Sequence, residues 1–347
     1  MFKTSVIIVN FNDLHLLKNC LLSLLQSIES NIEIIVVDNA SQDGSPGMVE
    51  HCFPEVHLIC SPTNVGFGRA NNLGALHARG KYLAFLNPDT IVKVGWLEAL
   101  INILETDSKI GLVTSKILLL NDYEKINTCG NDIHITGLTL CRGVRQPADD
   151  YSQPETVSAI SGAAFAIRRD LFEFLGGFDP FFFLYMEDTD LSLRARLLGY
   201  NCLYVPDSVV YHDYTLSFSP HKIFYQERNR YLMLLKVFHW RTLLALIPAL
   251  LLAEVVTWGF VISHEPLRLS NKLRAYYWII RHWKEIMQRR CVTQSNRHVA
   301  DKEILALTRK HLSYEQAGCG WVAKAAQYMF DPLFALVYKL PLLITNH

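Results

Sequence analysis

The chain has 347 residues, half of them hydrophobic, enough for one large domain with an appended segment or for two domains. Its 33 basic and 33 acidic residues cancel, so overall charge gives no argument for a nucleic-acid partner. The eight cysteines are scattered with no CxxC pair, which argues against a zinc or disulfide framework and suits reduced thiols.

Met1 to Thr4 runs straight into a strand-like run with no secretory signal, so the catalytic part is expected to face the cytoplasm. SVIIVN (5–10) and IEIIVVD (32–38) are continuous β-branched runs, the pattern of strands buried on both faces. Between them Leu14, Leu17, Leu21, Leu24 and Leu25 recur at helical spacing. VHLIC (56–60) and YLAFL (82–86) supply two more strands, with helices near 46–52 and 68–78. This alternation predicts right-handed βαβ units and an α/β fold with a doubly wound, mostly parallel sheet and helices on both faces.

Further along, 96–104 reads as a helix and GLVTSKILL (111–119) as a strand, while 121–157 reads as an irregular, loop-rich region. A strand over 163–167, a short helix, an aromatic loop, a helix from about 187 to 198, and short strands at 202–206 and 209–212 follow.

In doubly wound sheets, ligands bind beyond the carboxyl ends of the strands. Asn10, Asn12, Asp38, Asn39, Asn64 and Asp89 lie there. Asp38 can accept the imide N–H of a pyrimidine base, although DNASQDGS would also suit an ordinary turn. NVGFGRANN (64–72) has Gly66 and Gly68 but Asn71 where a dinucleotide fingerprint needs its third glycine, so that reading is rejected. A glycine-rich helix entry can still hold phosphate or ribose, with Arg69 as a charge for a diphosphate. Asn87 and Pro88 turn the chain out of its strand, so Asp89 is either a turn residue or a ligand of a hard divalent cation.

Glu187, Asp188 and Asp190 crowd the first turn of a helix, where the dipole favours negative charge. Arg194 is placed to pair with Asp190 at i+4. The aromatic run GGFDPFFFLYM leads directly to these acids, which would desolvate a carboxylate and lift its pKa toward that of a general base. His212 ends the last short strand as a structural residue, a second metal ligand or a diphosphate contact.

These residues resemble those of family 2 glycosyltransferases of the GT-A fold, in the bacterial rhamnosyltransferase-like branch. The motifs are SVIIVNFN, VVDNASQDGS, NVGFGRANN, FLNPDT, the block over 176–200 and VPDSVVYH, spanning about residues 3–235. The resemblance implies inverting transfer of a sugar from a nucleotide donor, with Mg²⁺ or Mn²⁺. It gives Asp38 base recognition; Asn10, Asn12, Asn39, Asn64, Gly66, Arg69, Asn71 and Asn87, on the strand ends, turns and helix entry, are the other donor-binding candidates. Asp89 takes the last acidic place of the DXD motif, where Asn87 and Pro88 replace acids often found before it. His212 joins Asp89 as metal ligand, and Asp188 matches the general base with Glu187 beside it. The resemblance makes dTDP-rhamnose the first donor expected, with UDP-linked hexoses or galactofuranose as alternatives. The competing readings are a catalytically silent GT-A-fold scaffold at a membrane and a nucleotidyltransferase, for which the GxGxR start is missing.

The chain divides on this reading into a catalytic domain over 1–235 and a helical, hydrophobic and basic region over 236–347. LLALIPALLLAEVVTWGFVI (243–262) is long enough to cross a bilayer, but Pro248 and Glu254 oppose a simple span. The next segment mixes eight basic residues with Tyr276, Tyr277, Trp278 and Trp283, a headgroup-level signature. A second apolar piece over 332–344 is too short and broken to span. Peripheral or monotopic association with the cytoplasmic face of the cell membrane is expected, suiting a glycan acceptor on a polyprenyl lipid.

Overall fold

The computed structural model describes residues 2–27, 31–214, 220–264, 269–312 and 321–338. The chain forms two compact units. One comprises Met1–Asn131, Cys141–Ala195 and Tyr200–Leu216, and the other Asp132–Leu140, Arg196–Gly199 and Ser217–His347.

The chain order runs β1 (Thr4–Asn10), α1 (Leu14–Ser27), β2 (Ile32–Asp38), α2 (Ser45–Cys52), β3 (His57–Cys60), α3 (Phe67–His77), β4 (Tyr82–Leu86) and β5 (Thr90–Val92). It continues with α4 (Trp96–Thr106), β6 (Ile110–Leu119), β7 (Asp122–Thr128), β8 (Asn131–Ile133), β9 (Thr139–Cys141) and β10 (Glu155–Thr156). Then come β11 (Ala164–Arg168), α5 (Arg169–Phe174), α6 (Glu187–Leu197) and β12 (Asn201–His212).

The main sheet has the order β10-β12-β6-β11-β4-β1-β2-β3, with β5 on β12 and β7 on β6; β8 and β9 form a separate ribbon. β1 pairs in parallel with both β2 and β4. The order therefore grows outward in both directions from β1, which creates a switch point beyond the ends of β1 and β4. β11 runs antiparallel between β4 and β6, so the sheet is mixed and mostly parallel, as expected.

Both faces are covered, which explains the unbroken apolar runs. On one face Val6, Ile8, Val36 and Ala84 pack with Leu17, Leu21 and Leu24 of α1 and with Trp96, Leu100 and Leu104 of α4. On the other, Gly74 lets α3 settle onto β1: a Cβ there would stand 2.6 Å from Ile7 Cγ2. Phe85 stacks on Phe165 at 4.8 Å between ring centroids, and Phe172 and Phe178 close the same layer.

Three expectations are corrected. The region 121–157 is not irregular, because it contributes β7 to β10 and a 3₁₀ turn at Ala148–Tyr151. The short strands at 202–206 and 209–212 are one strand, bulged between Val205 and Val209, and Pro206 sits at that bulge. β5 was not foreseen; it forms because Thr90–Val92 finds β12 as an antiparallel partner.

The second unit carries α7 (Pro220–Val237), α8 (Trp240–His264), α9 (Leu269–Arg281), α10 (Trp283–Ser295), α11 (Asp301–Ala306) and α12 (Trp321–Val337). Arg268, the first of the eight basic residues, and residues 339–344 of the second apolar piece lie outside the described residues.

Candidate functional site

The site is built on the strand ends of the first unit. Asn10, the last residue of β1, is fully buried and donates through Nδ2 to Asp38 Oδ1 at 3.2 Å and to Ser41 Oγ at 3.1 Å. The other Asp38 oxygen accepts the Ser41 N–H at 2.9 Å. Asn12, held at φ 59°, accepts the Gln42 N–H at 2.7 Å. The loops after β1 and β2 are thus laced together by their own short polar side chains, the residue types that compete best for backbone groups.

Asn39 and Asn64 join the next pair of loops. Asn39 Nδ2 donates to Asn64 Oδ1 at 3.0 Å, and Asn39 Oδ1 accepts the Val65 N–H at 2.9 Å. Asn71 is buried and spends its amide N–H on the Phe67 carbonyl at 3.1 Å, within α3. Gly66 takes φ 86°, and a Cβ on it would stand 2.4 Å from the Phe183 carbonyl oxygen. That same oxygen accepts the Phe67 N–H at 2.8 Å, so the entry of α3 is capped by the aromatic loop. Arg69 is exposed on α3.

The turn after β4 is fixed by Thr90 Oγ1 donating to the Asn87 carbonyl at 2.7 Å. Register pairs Thr90 with His212 across β5 and β12. This brings His212 Nε2 to 3.1 Å from Asp89 Oδ1, while Nδ1 lies 2.8 Å from Asn127 Oδ1. A ring proton on Nδ1, donated to Asn127, leaves the Nε2 lone pair beside the carboxylate. Apart from this approach, Asp89 Oδ1 has no hydrogen-bond partner among the described residues, and neither does the buried Asn87 Oδ1. Asp13 lies near enough that burial, then Asp89, then Asp43 push its carboxyl up. One carboxylate and one imidazole with unsatisfied electron pairs fit a divalent cation that completes its shell with phosphate and water. Among the described residues no three His, Cys, Asp or Glu side chains converge as a closed metal cage.

Asp188 lies at the start of α6. Its Oδ2 accepts the Gly162 N–H at 2.8 Å and Asn131 Nδ2 at 3.2 Å, and its Oδ1 accepts the Thr189 N–H at 2.6 Å. Burial nevertheless pushes the carboxyl above its ordinary value, against those hydrogen bonds. Phe183, Tyr185 and Met186, immediately before it, adopt left-handed φ angles of 64°, 67° and 66°. Such backbone is costly for bulky residues and is tolerated where the surroundings impose it. Glu187 is buried, its Cβ facing Gly68 of α3. Asp190 and Arg194 do pair at 2.7 Å, and the Arg194 guanidinium also donates to the carbonyls of Leu175 and Gly177. That pair braces the turn leading into the aromatic loop.

A short backbone bridge joins the two acidic centres. Ala163 accepts the Asn87 N–H through its carbonyl at 2.9 Å, and the preceding Gly162 donates to Asp188. Sequence reasoning missed Gly162, Asn127, Asn131 and Asp13. Asp13 directly follows a quoted motif and was within reach; Asn127 and Asn131 lie in the stretch read as irregular and carry no sequence signal.

Residues 5–176 match the family described as Glycosyl transferase family 2. An N-acetylglucosaminyl-diphospho-decaprenol L-rhamnosyltransferase of Mycobacterium tuberculosis is 27% identical over 222 residues, covering 56% of this chain and 71% of that one. Two solved structures share the fold. Staphylococcus aureus TarS 1–349 in complex with UDP-GlcNAc aligns with a TM-score of 0.55 at 16% identity, covering 97% of this chain and 91% of that one. The mannosyltransferase PcManGT from Pyrobaculum calidifontis, in complex with GDP-Man and Mn²⁺, aligns with a TM-score of 0.50 at 16% identity, covering 99% and 84%.

Proposed function

Residues 5–176 are a glycosyl transferase family 2 domain, and from that premise we propose an inverting, metal-assisted transfer of a sugar from a nucleotide diphosphate to a glycan acceptor on a lipid carrier. The observation that carries this reading is the bridge through Gly162 and Ala163, which couples the Asn87–Asp89 turn to Asp188.

In the proposed reaction Asp188 accepts the proton of the acceptor hydroxyl as that oxygen attacks the anomeric carbon. The bond from that carbon to the diphosphate oxygen breaks, and its electron pair leaves with the nucleoside diphosphate. Gly162, Thr189 and Asn131 fix the carboxylate, and its raised pKa makes it a better proton acceptor than an ordinary aspartate. Asp89 and His212, with Asn127 behind the imidazole, would hold Mg²⁺ or Mn²⁺, which supplies charge neutralisation for the diphosphate. Asp38, already oriented by Asn10 and Ser41, reads the base; Asn12, Asn39 and Asn64 shape the loops around it. The catalytic chemistry is assigned to residues 1–235, and the helical remainder to the cytoplasmic membrane surface. The decaprenol-linked substrate named for the mycobacterial relative supports a lipid-linked acceptor, and its rhamnose supports dTDP-rhamnose as the first donor to test, with UDP-sugars next.

The test is thermal stability of the purified protein against a panel of nucleotide-sugars, each with and without Mn²⁺. A donor at 100 times its dissociation constant stabilises by about 2.7 kcal/mol. One metal-dependent donor followed by sugar transfer, abolished in Asp188→Asn, is the expected result. Donor binding without transfer to any lipid-linked acceptor would favour the silent scaffold instead.

A further inference from the structure

Glu254 falls near the middle of α8, which among the described residues is the helix long and apolar enough to cross a membrane. Its carboxylate is held by Arg230 of α7 and lies 3.0 Å from Lys272 Nζ of α9, and the hydroxyls of Tyr231 and Tyr276 donate to it. Glu227 completes the group, 2.6 Å from Arg230 and 3.3 Å from Lys272. Two carboxylates and two cations balance. Arg230 and Lys272 are each 1% exposed, so the network is interior to the helical unit.

The face of α8 that flanks Glu254 is exposed. Leu244, Ile247, Leu251, Val255 and Ile262 are all exposed and recur at steps of three, four and seven residues, which places them on one stripe. Leu243, Leu246, Ala249, Ala253 and Val261 form the buried side. The helix is therefore apolar all round by composition but has one covered face and one uncovered face. On α9, Leu273, Tyr277 and Ile280 are exposed in the same rhythm, with exposed Arg274 and Arg281 beside them.

We propose that α8 does not cross the bilayer but lies in its plane, seating the Leu244–Ile262 stripe in the anionic interface with Arg274 and Arg281 on lipid headgroups. A crossing α8 would leave Glu254 without Arg230 and Lys272, or would carry the whole charged network into hydrocarbon. Both carry the cost of uncompensated or buried charge in hydrocarbon, which the interface position avoids. Basic side chains flanking an apolar stripe match an anionic surface. The proposal deepens the reading of a lipid-linked acceptor, and its test reads depth rather than turnover, so its failure leaves the transfer chemistry standing.

The experiment uses the full chain with its exposed cysteines replaced by serine and a single environment-sensitive nitrobenzoxadiazole label at Leu244→Cys, Leu251→Cys or Ile262→Cys. The labelled proteins are added to sealed phosphatidylcholine vesicles containing phosphatidylglycerol. In-plane seating gives the same shallow depth at all three positions, and externally added dithionite bleaches all of them. A deep label at 251 with one protected end would show a span and overturn the proposal. Binding unchanged in phosphatidylcholine alone would also overturn it, as would a dimer that buries the labels without vesicles. The Arg274→Ala/Arg281→Ala variant is expected to partition about 30-fold more weakly, and these exposed positions leave the folded unit intact.

Discussion

Asp188 shows how a single residue's surroundings set its chemistry. Four donors, the N–H groups of Gly162 and Thr189, the Thr189 hydroxyl and the Asn131 amide, favour its charged form, and burial outweighs them. Because the folded carboxyl titrates above its unfolded value, the stability it contributes is greatest at low pH and is lost as pH rises through the folded pKa. Catalysis needs the deprotonated form, so the acid limb of kcat against pH is expected above the ordinary carboxylate range; a limb at or below that range would remove Asp188 from the base role. Asn127 acts one step further out. Its Oδ1 fixes the imidazole whose other nitrogen faces Asp89. Asn127→Ala is expected to weaken Mn²⁺ binding about 10-fold or more, measured by electron paramagnetic resonance of free Mn²⁺ in the absence of donor. Equal affinity in the variant would detach Asn127 from the metal site.

At the scale of elements, the junction of α3 with the aromatic loop decides whether the acids are presented at all. Gly66 is required there because its φ is positive and because Phe183 leaves no room for a Cβ. Gly66→Ala is expected to cost about 1–3 kcal/mol in urea unfolding. Gly47, within α2 and with open space around it, is the control: Gly47→Ala should be neutral or stabilise by up to about 1 kcal/mol. Equal effects at both positions would refute the claim that the loop contact, rather than generic glycine flexibility, matters. The left-handed backbone at Phe183, Tyr185 and Met186 belongs to the same junction. Its cost is sustained by the stacked Phe85–Phe165 pair, by Phe178 edge-on to both, and by the Asp190–Arg194 brace.

Over the whole molecule, the helical unit is stabilised by charge as well as by apolar packing. Burial alone would raise the Glu254 carboxyl; Arg230, the two tyrosine hydroxyls and Lys272 bring it down to about 2 from 4.5. With the folded value below the unfolded one, its contribution is fully present above pH 4.5 and is lost as pH falls through about 2. Glu254→Gln leaves two buried cations facing one carboxylate and is expected to cost about 3 kcal/mol near neutral pH. Its stability gap from the unsubstituted chain should narrow as pH drops toward 2. A gap independent of pH would mean that packing, not charge, holds α8 to α7 and α9.

The residue pattern alone dictates the parallel core, because β-branched runs such as 5–10 and 32–38 can be buried on both faces only between layers of helices. It also determined which strand ends carry Asp38 and Asp89, since Asn-Pro and Asp-Asn turns are local chemistry. What those residues face depends on long-range pairing. His212 meets Asp89 only because Thr90–Val92 pairs with a strand more than a hundred residues later. Gly162 and Asn131 reach Asp188 through sheet order. Region 121–157 folds into strands because its partners lie elsewhere in the chain, and short polar strands have no periodicity of their own to announce them. Glu254 reads in sequence as a fault in an apolar helix. In the folded unit it is the point where that helix is fastened, since the compensating cations come from α7 and α9.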